Sequence, residues 1–346
     1  MKKQIPLVLD IGTEAIKAGF LKNTAIHYYD RFGSFSGRDP EKEMIKKAIS
    51  EALEEVQGKE KAKTKDVLVG LPPGALKVRT SYQALERKNS REPISQKEAE
   101  KIQQDIFKKG REKIGEIFFQ EAGISLRDLA FLDEFSLGTK IDGYSVPRLV
   151  GYRGKRVGAA IFSVFSPKNY LEKFRRIFKD LNLEVLKISH PGQYLPKLFK
   201  DINEGIFIDV GGEVTQVFIV KNNNLSEIFD FPIGGRDFSK ALSRTIGLSE
   251  EKARLFKESY ANKETTEETR ARIHEIFSEV AEDWFFGLRD ALRRFTGLRP
   301  SEIRLFGGGS QLPEISEILE NLAEQRSPQI LKDPQLINLT LISYAQ

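Results

Sequence analysis

The sequence predicts an α/β fold of two domains, and three stretches carry that prediction. In the first stretch, Ile206-Phe207-Ile208 is a continuous apolar run, as in a strand buried on both faces. Asp209-Val210-Gly211-Gly212 follows, and Val214 to Val220 returns to β-branched and aromatic residues, which reads as strand, acidic glycine turn, strand. Two adjacent glycines let backbone N–H groups approach an anion where a Cβ would collide. The carboxylate at the turn can hold a hydrated divalent cation beside that anion. Taken alone, the window suits an ordinary hairpin with an Asp-Gly-type turn equally well. The second stretch has the same form 199 residues earlier: Ile5 to Leu9, Asp10-Ile11-Gly12-Thr13, then Ala15 to Phe20. In the third, the strand Ile303 to Phe306 ends at Gly307-Gly308-Gly309-Ser310-Gln311-Leu312-Pro313, which opens a helix to Gln325.

Two such hairpins and a glycine-rich strand-to-helix turn, in this order, resemble the nucleotide-binding signature of the actin and sugar-kinase superfamily. Within it the chain most resembles FtsA, the bacterial cell-division member, in motifs scattered from about Leu7 to Gln325. Asp10-Ile11-Gly12-Thr13 with Lys17-Ala18-Gly19-Phe20 is similar to the first phosphate motif, Phe207 to Gly212 to the second, and Phe306 to Leu312 to the adenosine motif. Pro232 to Phe238 resembles the segment after the second hairpin. Asp142-Gly143-Tyr144 and Gly151 to Lys155 resemble the end of the subdomain peculiar to FtsA. The resemblance implies two actin-like (ribonuclease H-like) domains around a nucleotide cleft. Residues 1–75 with 166–200 would form the first, 201–346 the second with a helical part at about 237–297, and 76–165 an inserted α+β interaction subdomain. On pattern alone, residues 76–165 also suit the core of the first domain.

Bulk composition agrees with two cores: 346 residues, 40% of them apolar. The net charge of +5 is spread rather than blocked, which points away from nucleic acid. With no cysteine there is no disulfide, thiolate zinc site or cysteine nucleophile. No apolar run approaches the roughly 18 residues of a spanning helix, and Met1-Lys2-Lys3-Gln4 leads into a strand rather than a signal peptide, so a cytoplasmic protein is expected.

Between the motifs, Lys22-Asn23-Thr24 reads as a turn. Met44, Ile45, Ala48, Ile49, Ala52, Leu53 and Val56 recur at three and four and predict a helix over 41–57. A charged loop over 58–65 and a strand over 66–71 follow, ending at Pro72-Pro73-Gly74. In the insertion, 78–84 is a strand. Ser95 and Glu98 form a capping box for a helix that runs towards Lys113 and breaks or ends near Gly110. Strands are expected over 129–137, 143–150 and 155–165, then a helix to Leu181, a strand over 184–188 and a short helix over 191–201. Helices over 237–246, 249–260 and 266–295 complete the reading, the last with Trp284 on its buried face.

For the site, the resemblance implies ATP and Mg²⁺, with Asp10 and Asp209 facing each other across the cleft and holding the cation through water. Gly12, Thr13, Gly211 and Gly212 would offer backbone donors to the phosphates. Lys17, seven residues after Asp10, would offset charge developing on them. Gly307, Gly308 and Gly309 would pass beneath the adenosine, with Thr215, Lys257 and Ser310 completing the nucleotide contacts. Gln193, 16 residues before Asp209, is the candidate to orient water, and Asp209 the other catalytic candidate. On periodicity alone Lys17 is equally an exposed strand lysine, and the glycine triplet an ordinary helix-entry loop. Three positions depart from the family: Glu213 where a further glycine is usual, Gln216 where an acidic residue is common, and Arg254 where a glutamate contacts the ribose. These departures argue for slow or absent hydrolysis. His27, His190 and His274 read as lone histidines, and no Ser/His/Asp set competes.

The resemblance implies a cytoskeletal adaptor in cell division that self-associates as a filament or dimer and recruits the tubulin-like protein FtsZ or other divisome proteins. PilM, a pilus-assembly scaffold of the same superfamily, is the near alternative. A small-molecule kinase ranks behind both, because no catalytic aspartate in a substrate cleft stands out. No basic amphipathic face follows the apolar stretch 336–344, so either contact with the cytoplasmic face of a membrane passes through a partner or a membrane-binding tail is not part of this sequence.

Overall fold

A computed structural model describes residues 6–20, 26–29, 42–60, 64–199, 203–295, 302–326 and 329–332. The turn expected at 22–24 and the stretch 336–344 lie outside the described residues. The chain divides into two compact units, one of residues 1–73 with 177–346 and one of residues 74–176.

The larger unit begins with an antiparallel meander of β1 (Leu7–Ile11), β2 (Ile16–Phe20) and β3 (Ile26–Tyr29). Helix α1 (Lys42–Glu60) then leads to β4 (Asp66–Gly70), which lies parallel to β1. The apolar face read from the sequence is the buried one except at Met44, which is exposed; Ile45, Ile49 and Val56 are almost fully covered. The helix continues through Gly58, where a loop was expected. A glycine inside a helix costs only about 1 kcal/mol relative to alanine, which weakens a helix end without ending it.

The smaller unit is a four-stranded antiparallel sheet of order β5-β8-β6-β7 with one long helix against it. Its elements are β5 (Lys77–Glu86), α2 (Gln96–Ala122), β6 (Leu129–Ile141), β7 (Tyr144–Val146) and β8 (Arg156–Pro167). Ser95 Oγ accepts the Glu98 N–H and caps α2, as its sequence predicts. The break expected near Gly110 is not there: α2 is continuous over 27 residues. Ile102, Ile106, Gly110, Ile114 and Phe118 form a buried stripe at every fourth position. A Cβ at Gly110 would sit 2.8 Å from Ile161 Cδ1, and one at Gly115 only 2.7 Å from Leu126 Cβ. These glycines let the helix lie close to its neighbours rather than stop it. Asp142 (φ 49°) and Gly143 (φ 91°) make the two-residue β6–β7 turn, in which both central residues need positive φ. The buried Arg87 guanidinium donates to both Glu98 oxygens and to the Glu92 and Gly154 carbonyls, tying the α2 entrance to the loop before β8.

After α3 (Lys168–Asp180), β9 (Glu184–Ile188) pairs parallel with β4 and completes the first sheet. A short helix α4 (Leu195–Leu198) precedes β10 (Glu204–Val210), β11 (Thr215–Lys221) and β12 (Asn224–Phe231). Strand β12 was not expected. Its signal is Asn222-Asn223, both at positive φ (51° and 56°), the turn chemistry of a tight hairpin. Helices α5 (Gly235–Ile246), α6 (Glu250–Ala261) and α7 (Glu267–Arg293) follow, then β13 (Glu302–Phe306), α8 (Pro313–Arg326) and β14 (Gln329–Lys332). Strand orders β3-β2-β1-β4-β9 and β12-β11-β10-β13-β14 have the same sense at every pairing: two antiparallel, then two parallel. The two halves of the larger unit are thus built on one plan. Trp284, Phe277, Phe238 and Leu288 centre the core of the second half.

Candidate functional site

Ligands of α/β sheets gather at the carboxyl ends of parallel strands, and here β1 and β4 end level with each other, as do β10 and β13. Asp10 lies beside Gly70, and Asp209 beside Phe306. These four ends open on a cavity of about 700 Å³, within the usual range for a small-molecule site. The hairpins are equivalent residue by residue: Asp10 stands opposite Lys17 across β1–β2, and Asp209 opposite Gln216 across β10–β11. Gly12 N–H donates to Ala15 O at 2.9 Å, and Gly211 N–H to Val214 O at 3.1 Å. A Cβ at Gly12 or Gly211 would lie 2.9 or 2.8 Å from those same carbonyls. These two glycines therefore shape their turns, and their N–H groups close the hairpins rather than point at a ligand.

The hairpin tips touch. Glu213 N–H donates to Thr13 Oγ1 at 3.2 Å, and a Cβ on Gly212 would come within 2.6 Å of that hydroxyl. The second hairpin is seated on the α5 N-terminus, where Gly235 and Arg236 donate N–H groups to Gly211 O (2.8 Å) and Gly212 O (2.7 Å). Gly234 must be glycine for this seating, since a Cβ there would lie 2.6 Å from both carbonyl oxygens.

Asp10, Gly12, Thr13, Lys17, Asp209, Gly211, Gly212, Lys257, Gly307, Gly308 and Gly309 all line the cavity. Lys17 Nζ sits 3.5 Å from Asp10 Oδ2. Lys257 Nζ donates to Gly235 O at 2.9 Å and lies 3.6 Å from Glu14 Oε2. Burial pushes the Asp209 carboxyl up to about 6; Lys17 opposes that rise and the Asp10 charge adds to it. Two carboxylates that feel each other in a partly dehydrated cleft, faced by a lysine, form a donor set that fits a hydrated divalent cation.

Three expected site residues are placed otherwise. Thr215 is fully buried off the cavity, its hydroxyl donating to Ile233 O at 2.7 Å and accepting from Trp284 Nε1 at 2.9 Å. Ser310 is turned inward, its Oγ donating to Gly307 O at 2.7 Å. Gln193 is not among the lining residues: its Oε1 accepts the His190 N–H at 2.7 Å and closes a capping box on the turn 191–193. Conversely, Glu14, Glu258 and Asn262 line the cavity without having been counted as site residues, and Gln216 and Arg254, read from the sequence only as departures from the family, line it as well. Arg254 lies 3.0 Å from Glu258 one helical turn on, a spacing readable in the sequence. Pro72 and Pro73, read as a strand end, line it too.

His190 also reaches the cavity wall. Its Nδ1 accepts from Gly192 N–H at 3.2 Å, and its ring hydrogen-bonds the Gln216 side chain. Desolvation lowers its pKa from 6.5 to about 4, against smaller opposing effects of Gln216 and Asp230. The folded state thus favours neutral imidazole. Its contribution to stability is complete above about pH 6.5 and is lost as pH falls through about 4. His190→Gln removes this dependence while leaving that of Asp209 in both proteins. The stability advantage of wild type over the variant should therefore shrink by up to about 3 kcal/mol between pH 7.5 and 4.5 in urea titrations. A pH-independent difference would contradict the buried neutral histidine.

The family model for the cell division protein FtsA matches residues 206–340. No curated protein sequence matches the chain. Among solved structures, the PilM-PilN type IV pilus biogenesis complex is similar at TM-score 0.69 and 15% identity, covering 98% of this chain and 97% of that one. The ethanolamine utilization protein EutJ from Carboxydothermus hydrogenoformans follows at TM-score 0.56 and 12% identity, covering 100% and 90%. MreB5 of Spiroplasma citri bound to ADP gives TM-score 0.53 and 9% identity over 99% and 96%. The fold is that of an actin-like ATPase. The cavity lies between the two hairpins of that fold. Among the described residues, no helix is long and apolar enough to cross a membrane.

Proposed function

We propose that this actin-like protein binds ATP with Mg²⁺ and works as a cytoskeletal adaptor in cell division, self-associating and recruiting FtsZ or other divisome proteins. The observation that carries the nucleotide reading is the convergence of both hairpins and the Gly307–Gly309 loop on one cavity that also holds Asp10, Asp209, Lys17 and Lys257. Asp10 and Asp209 would hold Mg²⁺ through water, and the bound cation would offset phosphate charge. Lys17 and Lys257 add positive charge at fixed positions, and the glycine loop admits a ligand where side chains would not fit. Hydrolysis is slow or absent. The expected water-orienting Gln193 is engaged in its own turn, and Gln216 is engaged by His190. Isothermal titration should show Mg²⁺-dependent ATP binding, with turnover far below the common enzyme scale of roughly 10 per second. Absence of binding, or turnover at that scale, would count against the reading.

The FtsA match over residues 206–340 favours the division role. A second reading, a PilM-like pilus-assembly scaffold, is favoured by a likeness that spans 98% of the chain. Capture of purified FtsZ against capture of PilN separates the two. In either role, residues 76–165 serve as an interaction module, and a partner can hold the protein at the cytoplasmic face of the membrane. Replacing 76–165 by a short Gly-Ser linker should preserve ATP affinity and abolish self-association or partner capture. Loss of nucleotide binding in a folded variant would instead place the module in the cleft.

A further inference from the structure

We propose that Arg236 is a positioning residue for the polyphosphate: it holds the Glu213 carboxylate out of the phosphate end of the cavity. The inference rests on the nucleotide reading above. Both hairpins carry a glutamate at the same place, Glu14 and Glu213, four residues after their aspartates. Glu14 lines the cavity opposite Lys257. Gly212 and Val214, on either side of Glu213, line it as well, and the Glu213 N–H reaches across to Thr13. The Glu213 backbone is therefore at the seam of the two tips, yet the residue is absent from the cavity wall. Its Oε1 accepts instead from Arg236 Nη1 at 2.6 Å.

Arg236 is well placed to keep it there. Its backbone N–H is fixed to Gly212 O at 2.7 Å, and its Nε and Nη2 donate to Glu250 Oε2 at 3.2 and 3.0 Å. Its side chain is only 14% exposed. One guanidinium fork thus spans two carboxylates, a geometry that a lysine ammonium does not reproduce. Without it, the Glu213 carboxylate loses the guanidinium that holds it, one residue from Gly212 on the cavity wall. Repulsion then grows with each phosphate that the ligand brings.

The test is titration calorimetry of the full chain with ATP, ADP and adenosine at one fixed Mg²⁺ concentration. Arg236→Gln should weaken ATP by about tenfold or more, ADP by less and adenosine least. Adding Glu213→Gln to Arg236→Gln should bring ATP affinity back to within about threefold of wild type. If Arg236→Gln does not fold, Arg236→Lys is compared with and without Glu213→Gln, and the same rescue is expected. A loss equal for all three ligands, or a double variant as weak as the single one, overturns the proposal. Wild-type protein that binds none of the three overturns the nucleotide reading with it.

Discussion

Asp209→Asn should weaken Mg²⁺-ATP binding by at least about tenfold, roughly 1.4 kcal/mol, and should at the same time stabilise the ligand-free protein at pH 8. Both effects come from one charge. The Asp209 carboxylate is held up to about 6 by desolvation, with the Asp10 charge acting in the same direction and Lys17 against it. A carboxyl raised in the folded state favours folding when protonated, so above about pH 6 its ionised form works against the fold. A shift of that size corresponds to about 3 kcal/mol at most, and local relaxation will return part of it. Asparagine keeps the shape and discards the charge, so denaturant unfolding of the apo protein should move to higher midpoint by an amount worth about 1–2 kcal/mol. At the proposed Mg²⁺ site the cation would then lose one of its two anionic anchors, and calorimetry with Mg²⁺-ATP reads that loss. Unchanged affinity in both Asp209→Asn and Asp10→Ala would sink the metal assignment. A variant less stable than wild type would show that Asp209 supports the fold.

What was legible in the sequence is what local pattern controls. Both hairpins follow from apolar strands flanking Asp-x-Gly turns, and the register that sets Asp10 against Lys17 follows from the length of the turn. The α2 cap at Ser95 and the amphipathic faces of α1 and α7 are local in the same sense. Thr215 was misplaced because its partner Trp284 lies 69 residues away. Nothing in the motif itself distinguishes a hydroxyl aimed at a ligand from one satisfied by an indole. Glu213 raised a question of charge that the sequence could state but not answer, since its partner Arg236 is brought in by the seating of the hairpin on α5. Gln193 is different. Its capping contact is to His190, three residues back, with Pro191 at the first position of the turn, and that signal was available. The glycines of α2 show the opposite error: a residue taken as a breaker is an accommodation to packing, visible only once Ile161 and Leu126 are in place.

The glycine triplet offers a way to separate fold from ligand within three residues. Gly307 has φ 84° and ψ 160°, a region that essentially only glycine occupies. A Cβ there would lie 2.2 Å from Asp209 Oδ1 and 2.6 Å from Val210 O, the second a backbone atom that cannot swing aside. Gly307→Ala should therefore cost about 3 kcal/mol or more in stability, from backbone strain and the clash together, and should displace Asp209 and abolish measurable Mg²⁺-ATP binding. Gly308 is the control. It is exposed, lacks a positive φ, and an added Cβ would meet nothing within 4 Å. Gly308→Ala should leave stability within about 0.5 kcal/mol of wild type. If a nucleotide lies against this loop, the new methyl meets the ligand and not the protein, so affinity falls while the unfolding midpoint stays put. Equal affinity for ATP in wild type and Gly308→Ala would move the ligand away from the loop. Full stability in Gly307→Ala would mean that β13 can enter its turn by another path, and the link from that turn to Asp209 would be lost.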